Sequence, residues 1–382
     1  MRSTVRMGVI GLGAAGIRHA RACLLAPIWF PDSKFEVRRQ VCADVDAAAA
    51  ARAADQLGFG RWTADWRDVI SDPEVDAIAV ATPNDSHLEI IEAAAAAGKH
   101  VLCEKPVGLN PAQTAAAAAA IEAGGIVFMV GYNYRCIPAL VRTRNLIESD
   151  GIGRPTHYRG RYFTSSGTDS STPLSWRYLR SVSGNGTLAD LMSHVIDTAQ
   201  FLFGPITEVV GDKQTFVEQR PAPGPEGVSA GLAPVENEDY VSALARFANG
   251  AQGTLEGCRV ICGPTNEMAF ELNGSAGSVK WSLERMHELE IYTDSSIAQG
   301  YTQAFSQSGD GAHGNFNPGA GNGPSLMDLK AIEMNNFLGA VLGRIPASPG
   351  ISAALAVARV QAAIARSWAS GTWERVGTFD CP

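Results

Sequence analysis

Three groups of residues in this chain of 382 amino acids have types and spacings suited to chemistry. The first is Gly11-Leu12-Gly13-Ala14-Ala15-Gly16, a G-x-G-x-x-G hexad that follows the apolar run 5–10 and opens a helical stretch at Ala14. Between a strand and a helix, the first glycine allows a tight turn and the second lets backbone approach a pyrophosphate. The third lets helix and strand pack closely, and the helix N-terminus then faces the phosphates. Asp44 closes the next apolar stretch, 35–43, where a carboxylate can accept hydrogen bonds from ribose hydroxyls and repel a 2′-phosphate. Ala47 rather than Arg follows Asp46, which favours NAD over NADP. Asp44 comes later than the usual spacing of about 20 residues, because the stretch PIWFPDSK at 27–34 lengthens the connection. The alternative for Asp44 is a cap on the next Ala-rich helix.

The second group sits at two further strand ends. The run 76–81 leads into Thr82-Pro83-Asn84, with His87 one turn into the following helix, and the run 99–103 leads into Glu104-Lys105-Pro106. Ligands of open parallel sheets bind outside the carboxyl ends of the strands, so both loops belong on the cofactor side. Lys105 stands out because the chain has only six lysines, although by itself it reads equally as a solvated side chain. The third group lies on residues 186–203, GTLADLMSHVIDTAQFLF, where Leu188, Leu191, Met192, Val195, Ile196, Ala199 and Leu202 form one apolar helical stripe. Asp190 and His194 are four apart on the other face, within reach of a common ligand or simply a solvated pair. Gly184-Asn185-Gly186 before them suggests backbone kept clear for a neighbour.

The elements that must hold these groups divide the chain in two. Strands and helices alternate to about residue 130, the pattern of a doubly wound parallel sheet, so residues 1–130 read as an NAD-binding Rossmann domain. Beyond it, strand character at 156–163, 208–217, 240–247, 252–260, 268–272 and 289–292, separated by turn signals, predicts a mostly antiparallel open sheet. Residues 131–382 therefore read as a second α/β domain, with late helices free to pack back on the first. Two Pro- and Gly-rich segments, 221–234 and 306–324, read as mobile loops, each either a lid or simply disordered.

Composition narrows the function classes. With 46% hydrophobic and 18% charged residues the chain is an ordinary globular sequence, too long for one core. A net charge of −8 without blocks of like charge makes nucleic acid and anionic membrane poor partners. Cys23, Cys42, Cys103, Cys136, Cys258, Cys262 and Cys381 are scattered without a CxxC, which predicts no metal site and no disulfide framework but a reducing, cytoplasmic setting. Arg2, Arg6 and MGVIGLGAAGI imitate a secretory signal, but Arg18, His19 and Arg21 break the apolar stretch, and no run is long enough to span a membrane.

Taken together, GLGAAG, ATPNDSH, GKHVLCEKP and GNGTLADLMSHVID, in this order, resemble the glucose–fructose oxidoreductase / inositol dehydrogenase (Gfo/Idh/MocA) family over nearly the whole chain. The EKP element followed about 85 residues later by D-x-x-x-H is more specific than the glycine hexad. Leu174-Ser175-Trp176-Arg177 looks like the levoglucosan dehydrogenase-like branch. The resemblance implies that residues 131–382 hold the substrate and the oligomer contacts, that Lys105, Asp190 and His194 are the catalytic residues, and that Thr82, Pro83, Asn84, His87, Glu104, Asn133 and Lys105 itself contact the dinucleotide. It also implies that Arg161, Trp176 and Arg177 line a sugar site, that His313 is a candidate pocket residue, and that the protein is a homodimer or homotetramer. The stretch 311–320 departs from relatives in having few aromatics, so the substrate stays open between sugars, anhydro-sugars and cyclitols.

The implied reaction is reversible oxidation of a secondary alcohol. A histidine titrating near 6.5 can take the hydroxyl proton, Asp190 can bind a neighbouring hydroxyl, and Lys105 can stabilise the developing alkoxide. A second enzymatic reading has bound NAD recycled as an internal oxidant in glycosidic cleavage or epimer exchange. A third, a non-catalytic NAD-binding regulator, is disfavoured by the presence of the lysine and histidine.

Overall fold

The computed structural model describes residues 3–224, 230–293 and 299–377, so Arg2, Cys381 and the centre of the 221–234 stretch lie outside the described residues. By its contacts the chain separates into two compact units. The first comprises residues 1–108, 112–136 and 324–355, and the second residues 109–111, 137–323 and 356–382.

The first unit opens with β1 (Ser3–Ile10), α1 (Ala14–Trp29), β2 (Phe35–Ala43), α2 (Ala47–Leu57), β3 (Arg61–Thr63) and α3 (Trp66–Ser71). It continues through β4 (Ala77–Val80), α4 (His87–Ala96), β5 (His100–Cys103), α5 (Pro111–Gly124) and β6 (Phe128–Val130). The six strands are parallel in the order β3-β2-β1-β4-β5-β6. The order reverses at β1, between β2 and β4, which is where such sheets open a crevice. The central strand β4 is wholly apolar, as burial on both faces requires: Ala77 to Val80 are each fully buried. The stretch that delays Asp44 has two parts: Pro27–Trp29 prolong α1, and Pro31–Ser33 form a 3-10 turn. Asp46 caps α2, its Oδ1 accepting the N–H groups of Ala48 and Ala49, and Gly58 ends that helix at φ +68°.

The second unit contains α6 (Pro138–Glu148), β7 (Pro155–Thr164), the single turns α7 (Arg180–Ser183) and α8 (Thr187–Asp190), α9 (Met192–Phe203), β8 (Ile206–Gln214), β9 (Gln219–Pro221) and β10 (Leu232–Pro234). Then come β11 (Tyr240–Phe247), β12 (Gln252–Cys258), β13 (Asn266–Gly274), β14 (Gly277–Ser282), β15 (Glu288–Thr293), β16 (Thr302–Phe305) and α10 (His313–Phe316). The helix α11 (Asp328–Val341) belongs to the first unit, where Met334 and Phe337 join the core built by Met7, Val9, Ala20 and Cys23. Last are α12 (Ile351–Ser370) and β17 (Glu374–Arg375).

Nine strands form one sheet, β16-β15-β14-β13-β7-β12-β11-β8-β17, antiparallel except for the parallel pair β7–β12. Helix α9 lies on one face of this sheet. Glycines permit the approach: a Cβ on Gly160 would meet Val195 at 3.1 Å, and one on Gly257 would meet Met192 at 3.0 Å. Tyr158, Phe203, Phe247, Phe270 and Trp281 interlock beneath it with ring centroids 5.5–6.3 Å apart. The structure adds strands that the sequence pattern did not suggest, β14 and β16 among them. It also corrects the 221–234 segment, whose ends pair as the antiparallel ribbon β9–β10. The single helix expected over 186–203 is interrupted at Leu191, with α8 before it and α9 after it. At the break the His194 N–H bonds to Leu191 O, a tighter three-residue turn.

Candidate active site

The three glycines of the hexad serve three different needs. Gly11 has φ +84°, and a Cβ there would lie 2.7 Å from the backbone of Ala81 at the end of β4. A Cβ on Gly16 would fall 1.7 Å from Gly11 O, so the helix could not approach the turn. Gly13 is different: its backbone is extended, and a Cβ would meet nothing within 4 Å. It stands as the N-cap of the 16-residue α1 with no side-chain cap and no acid in the first turn. The open space and uncapped amides make a cradle for an anion, which fits a pyrophosphate.

Asp44 closes this loop from β2, its Oδ2 accepting the Leu12 N–H at 2.7 Å and its Oδ1 the Asp46 N–H at 2.9 Å. The helix-capping role weighed for Asp44 belongs instead to Asp46. A carboxylate offers about four lone-pair sites, so Asp44 keeps capacity for hydroxyls while fixing the glycine turn.

At the end of β4, Ser86 donates to Thr82 Oγ1 at 2.7 Å, Pro83 is exposed, and Asn84 is buried in a 3-10 turn. His87 is fully buried behind them, with Nδ1 2.8 Å from Pro106 O and Nε2 3.0 Å from Thr82 O. Burial depresses its basicity despite the two carbonyls. His87 thus ties together the two strand-end loops.

Glu104 and Lys105 follow β5. Glu104 Oε1 accepts Nζ of Lys330 at 2.6 Å and Nε2 of His19 at 2.8 Å, and Lys330 also donates to Glu333 at 2.9 Å. Burial opposes ionisation of Glu104, but the Lys330 charge and the His19 hydrogen bond outweigh it and hold the carboxyl well below the usual range. A Cβ at Gly131 would press on Glu104 at 2.9 Å, which accounts for that glycine. Lys105 is half-buried ahead of a cis bond to Pro106, and Asn133 is buried in the 3-10 turn after β6. Sequence reasoning missed Lys330, His19 and Glu333. The scarcity of lysine that isolated Lys105 was an equal signal for Lys330.

In the second unit the apolar stripe of α8 and α9 is buried throughout, whereas Asp190 and His194 are half-buried on either side of the break. That placement sets aside the fully solvated alternative. Tyr162 of β7 stands beside His194, with ring centroids 6.0 Å apart. Arg161 is one residue away and so projects from the opposite face of the sheet, ion-paired to Glu267 at 2.7 Å. The structure therefore brings Tyr162, and not Arg161, next to the histidine. Trp176 opens a 3-10 turn and Arg177 stacks on its ring at 4.4 Å. His313 is fully buried, its Nε2 2.7 Å from Gly319 O and its Nδ1 3.2 Å from Ser306 Oγ. It thereby pins the 306–324 segment from within rather than presenting a ring nitrogen to a ligand.

Two family profiles cover most of the chain: "Oxidoreductase family, NAD-binding Rossmann fold" over residues 5–132, and "GFO/IDH/MocA C-terminal domain" over residues 140–280. The levoglucosan dehydrogenase of Pseudarthrobacter phenanthrenivorans is 34% identical over 385 residues, 97% of each chain. The scyllo-inositol 2-dehydrogenase (NAD(+)) of Bacillus subtilis is 29% identical over 73% of this chain and 74% of its own. A levoglucosan dehydrogenase structure in complex with NADH superposes with TM-score 0.94 at 34% identity, covering 99% of this chain and 100% of the other. Another, with NADH and levoglucosan, gives 0.93 at 34% identity over 98% and 100%. Among the described residues no helix is long and apolar enough to cross a membrane. With both halves matched in order and a relative at this identity along nearly its whole length, the chain belongs to the Gfo/Idh/MocA family of NAD-binding oxidoreductases.

Proposed function

We propose that this protein is an NAD-dependent dehydrogenase that reversibly oxidises a secondary hydroxyl of a sugar, anhydro-sugar or cyclitol to a ketone. The observation that carries the reading is the half-buried Asp190 and His194, flanking the Leu191 break beside Tyr162, in a chain whose first unit has an anion cradle at Gly13. The glycine loop and Asp44 would hold the dinucleotide, with Thr82, Pro83, Asn84, Glu104 and Asn133 at its strand-end edge and His87 bracing the loops behind. Bound NAD supplies the hydride acceptor. His194 takes the hydroxyl proton, Asp190 holds a neighbouring hydroxyl, and Lys105 stabilises the oxygen as it becomes negative. Trp176 and Arg177 offer a flat ring with a stacked guanidinium, a surface suited to a polyol ring.

The identity and coverage of the levoglucosan and inositol dehydrogenases support a cyclic polyol as the substrate class. The six described cysteines are unpaired, which supports a cytoplasmic setting, and the exposed Arg159, Leu244 and Arg246 on one face of the nine-stranded sheet support a homodimer or homotetramer. The test is NADH formation across inositols, glucose, anhydro-sugars and amino sugars, repeated with Lys105→Ala and His194→Ala. Turnover should fall in both variants by about 10²-fold or more with NADH binding kept. Near-normal turnover in both would overturn the assignment of roles.

A further inference from the structure

Immediately before β11 the chain buries three consecutive polar residues, Asn237, Glu238 and Asp239, at 4%, 2% and 0% exposure. Such groups persist in a core only when they are satisfied. Asp239 Oδ1 accepts Arg259 Nε at 2.8 Å, and its Oδ2 accepts the N–H groups of Phe216 and Val217 at 2.8 and 2.9 Å. Arg259 Nη2 donates to Asn237 Oδ1 at 2.8 Å, and its guanidinium lies 4.3 Å from the centre of the Tyr178 ring.

Further hydrogen bonds of the tripeptide reach the two segments that carry the proposed substrate residues. Asn237 Nδ2 donates to Arg177 O at 2.8 Å and to Ser183 Oγ at 2.9 Å. Glu238 Oε1 accepts the Leu188 N–H at 2.9 Å, and Glu238 O accepts the Thr187 N–H at 3.0 Å. Thr187 Oγ1 donates to Asp239 O at 2.8 Å. Gly186 gives the clearance: a Cβ there would lie 2.3 Å from Glu238 O and 2.9 Å from Asn237 Oδ1. This is the neighbour for which Gly186 is kept bare, whereas Gly184 clears the backbone of Leu109, 2.9 Å from where its Cβ would lie. Burial raises the Glu238 carboxyl above its ordinary value, and the Leu188 N–H needs only an acceptor oxygen, which a neutral side chain also offers.

We propose that Asn237 and Glu238 are positioning residues for the reaction: Asn237 fixes the Trp176–Arg177 turn against the substrate, and Glu238 fixes α8, the single turn that carries Asp190 and leads through Leu191 into the α9 helix of His194. The inference rests on the dehydrogenase reading above and adds the residues that set its geometry. Asn237→Asp keeps the acceptor for Arg259 but replaces both N–H donors by an oxygen facing Arg177 O. Glu238→Gln keeps the acceptor for Leu188, and Glu238→Ala removes it.

The experiment measures steady-state kinetics on the best polyol of the panel, NADH affinity, and hydrogen exchange over residues 174–191 in the NADH-bound protein. Asn237→Asp should raise KM for the polyol about tenfold or more with little change in kcat, and Glu238→Ala should lower kcat about tenfold or more. Glu238→Gln should stay within about twofold of wild type, and NADH affinity should hold in all three. Exchange over 174–191 should quicken in Asn237→Asp and Glu238→Ala but not in Glu238→Gln. Wild-type exchange in the first two, or a Glu238→Gln as impaired as Glu238→Ala, would overturn the proposal. If the wild-type protein forms no NADH with any polyol, the dehydrogenase reading fails, while the exchange pattern still decides the positioning role.

Discussion

Substituting Gly13 should separate cofactor binding from folding. Its backbone angles, φ −64° and ψ −170°, are open to any residue, and among the described residues nothing beyond the adjoining backbone lies within 4 Å of the added Cβ. Gly13→Ala should therefore leave the cofactor-free protein nearly as stable as wild type. The smaller entropy of the unfolded chain favours alanine by about 0.4–1 kcal/mol, and the loss of glycine at an N-cap offsets part of this. The melting temperature should move by no more than about 4 °C. Binding should suffer, because the methyl occupies the path by which backbone N–H groups reach a phosphate oxygen. Overpacking of this kind costs about 1–3 kcal/mol, or about 5- to 150-fold in affinity. Gly16→Ala is the control, since its Cβ would overlap Gly11 O at 1.7 Å and should destabilise the cofactor-free protein itself. Thermal melts without cofactor and NADH fluorescence titrations read the two effects apart. A Gly13→Ala protein that binds NADH as wild type does, or melts as early as Gly16→Ala, would refute the cradle at Gly13.

Asp44→Ser should lower the preference for NAD over NADP by about tenfold or more, read as the ratio of kcat/KM values; an unchanged ratio would remove the ribose role. Lys330→Met strands Glu104 and Glu333 without their shared cation, and breaking a buried pair in this way costs about 3–5 kcal/mol. Its melting temperature should drop by about 10 °C, and a change within error would contradict the network described. For Asp76, burial alone would raise the carboxyl, but the hydrogen bonds and charge of Arg6 outweigh it and hold it below the ordinary value. A depressed carboxyl contributes stability above its unfolded value of about 3.9 and loses it as the pH falls through the folded value. The difference in melting temperature between wild type and Asp76→Asn should therefore shrink as the pH drops below about 4, and a constant difference from pH 6 to 3 would refute the pairing.

What was legible in the sequence was local. The hexad, Asp44 and the strand-end loops announce themselves because phosphate binding needs particular residues at fixed offsets along one βα turn. Strand β2 could be read residue for residue, since an apolar run between a turn and an acid leaves little freedom at its ends. The stripe on α8 and α9 was equally clear, but its break at Leu191 was not. Periodicity records which side faces the core, and the two halves share that side.

The groups that fix the site were illegible for a common reason. Lys330 meets Glu104 across 226 positions, and Glu238 meets Leu188 across 50. A polar residue bound that far away looks in sequence like any solvated one. Arg161 and Tyr162 show the opposite difficulty: adjacent residues on a strand face opposite ways, so assigning a role to one of them requires the register.

The late arrival of α11 in the chain has a consequence for biosynthesis. Ala20, Cys23 and Ala26 on α1 share a core with Met334, Phe337 and Leu338, so the first unit lacks part of its interior until residues 324–355 leave the ribosome. At elongation rates of about 5–20 residues per second, the interval between residue 136 and residue 324 lasts roughly 10–40 seconds. Within the second unit strand β7 waits as well, for β12 and β13. During that interval the apolar side of α1 is open to chaperones and to other nascent chains. A fragment ending at residue 136 should be retained by them rather than accumulate as a nucleotide-binding module.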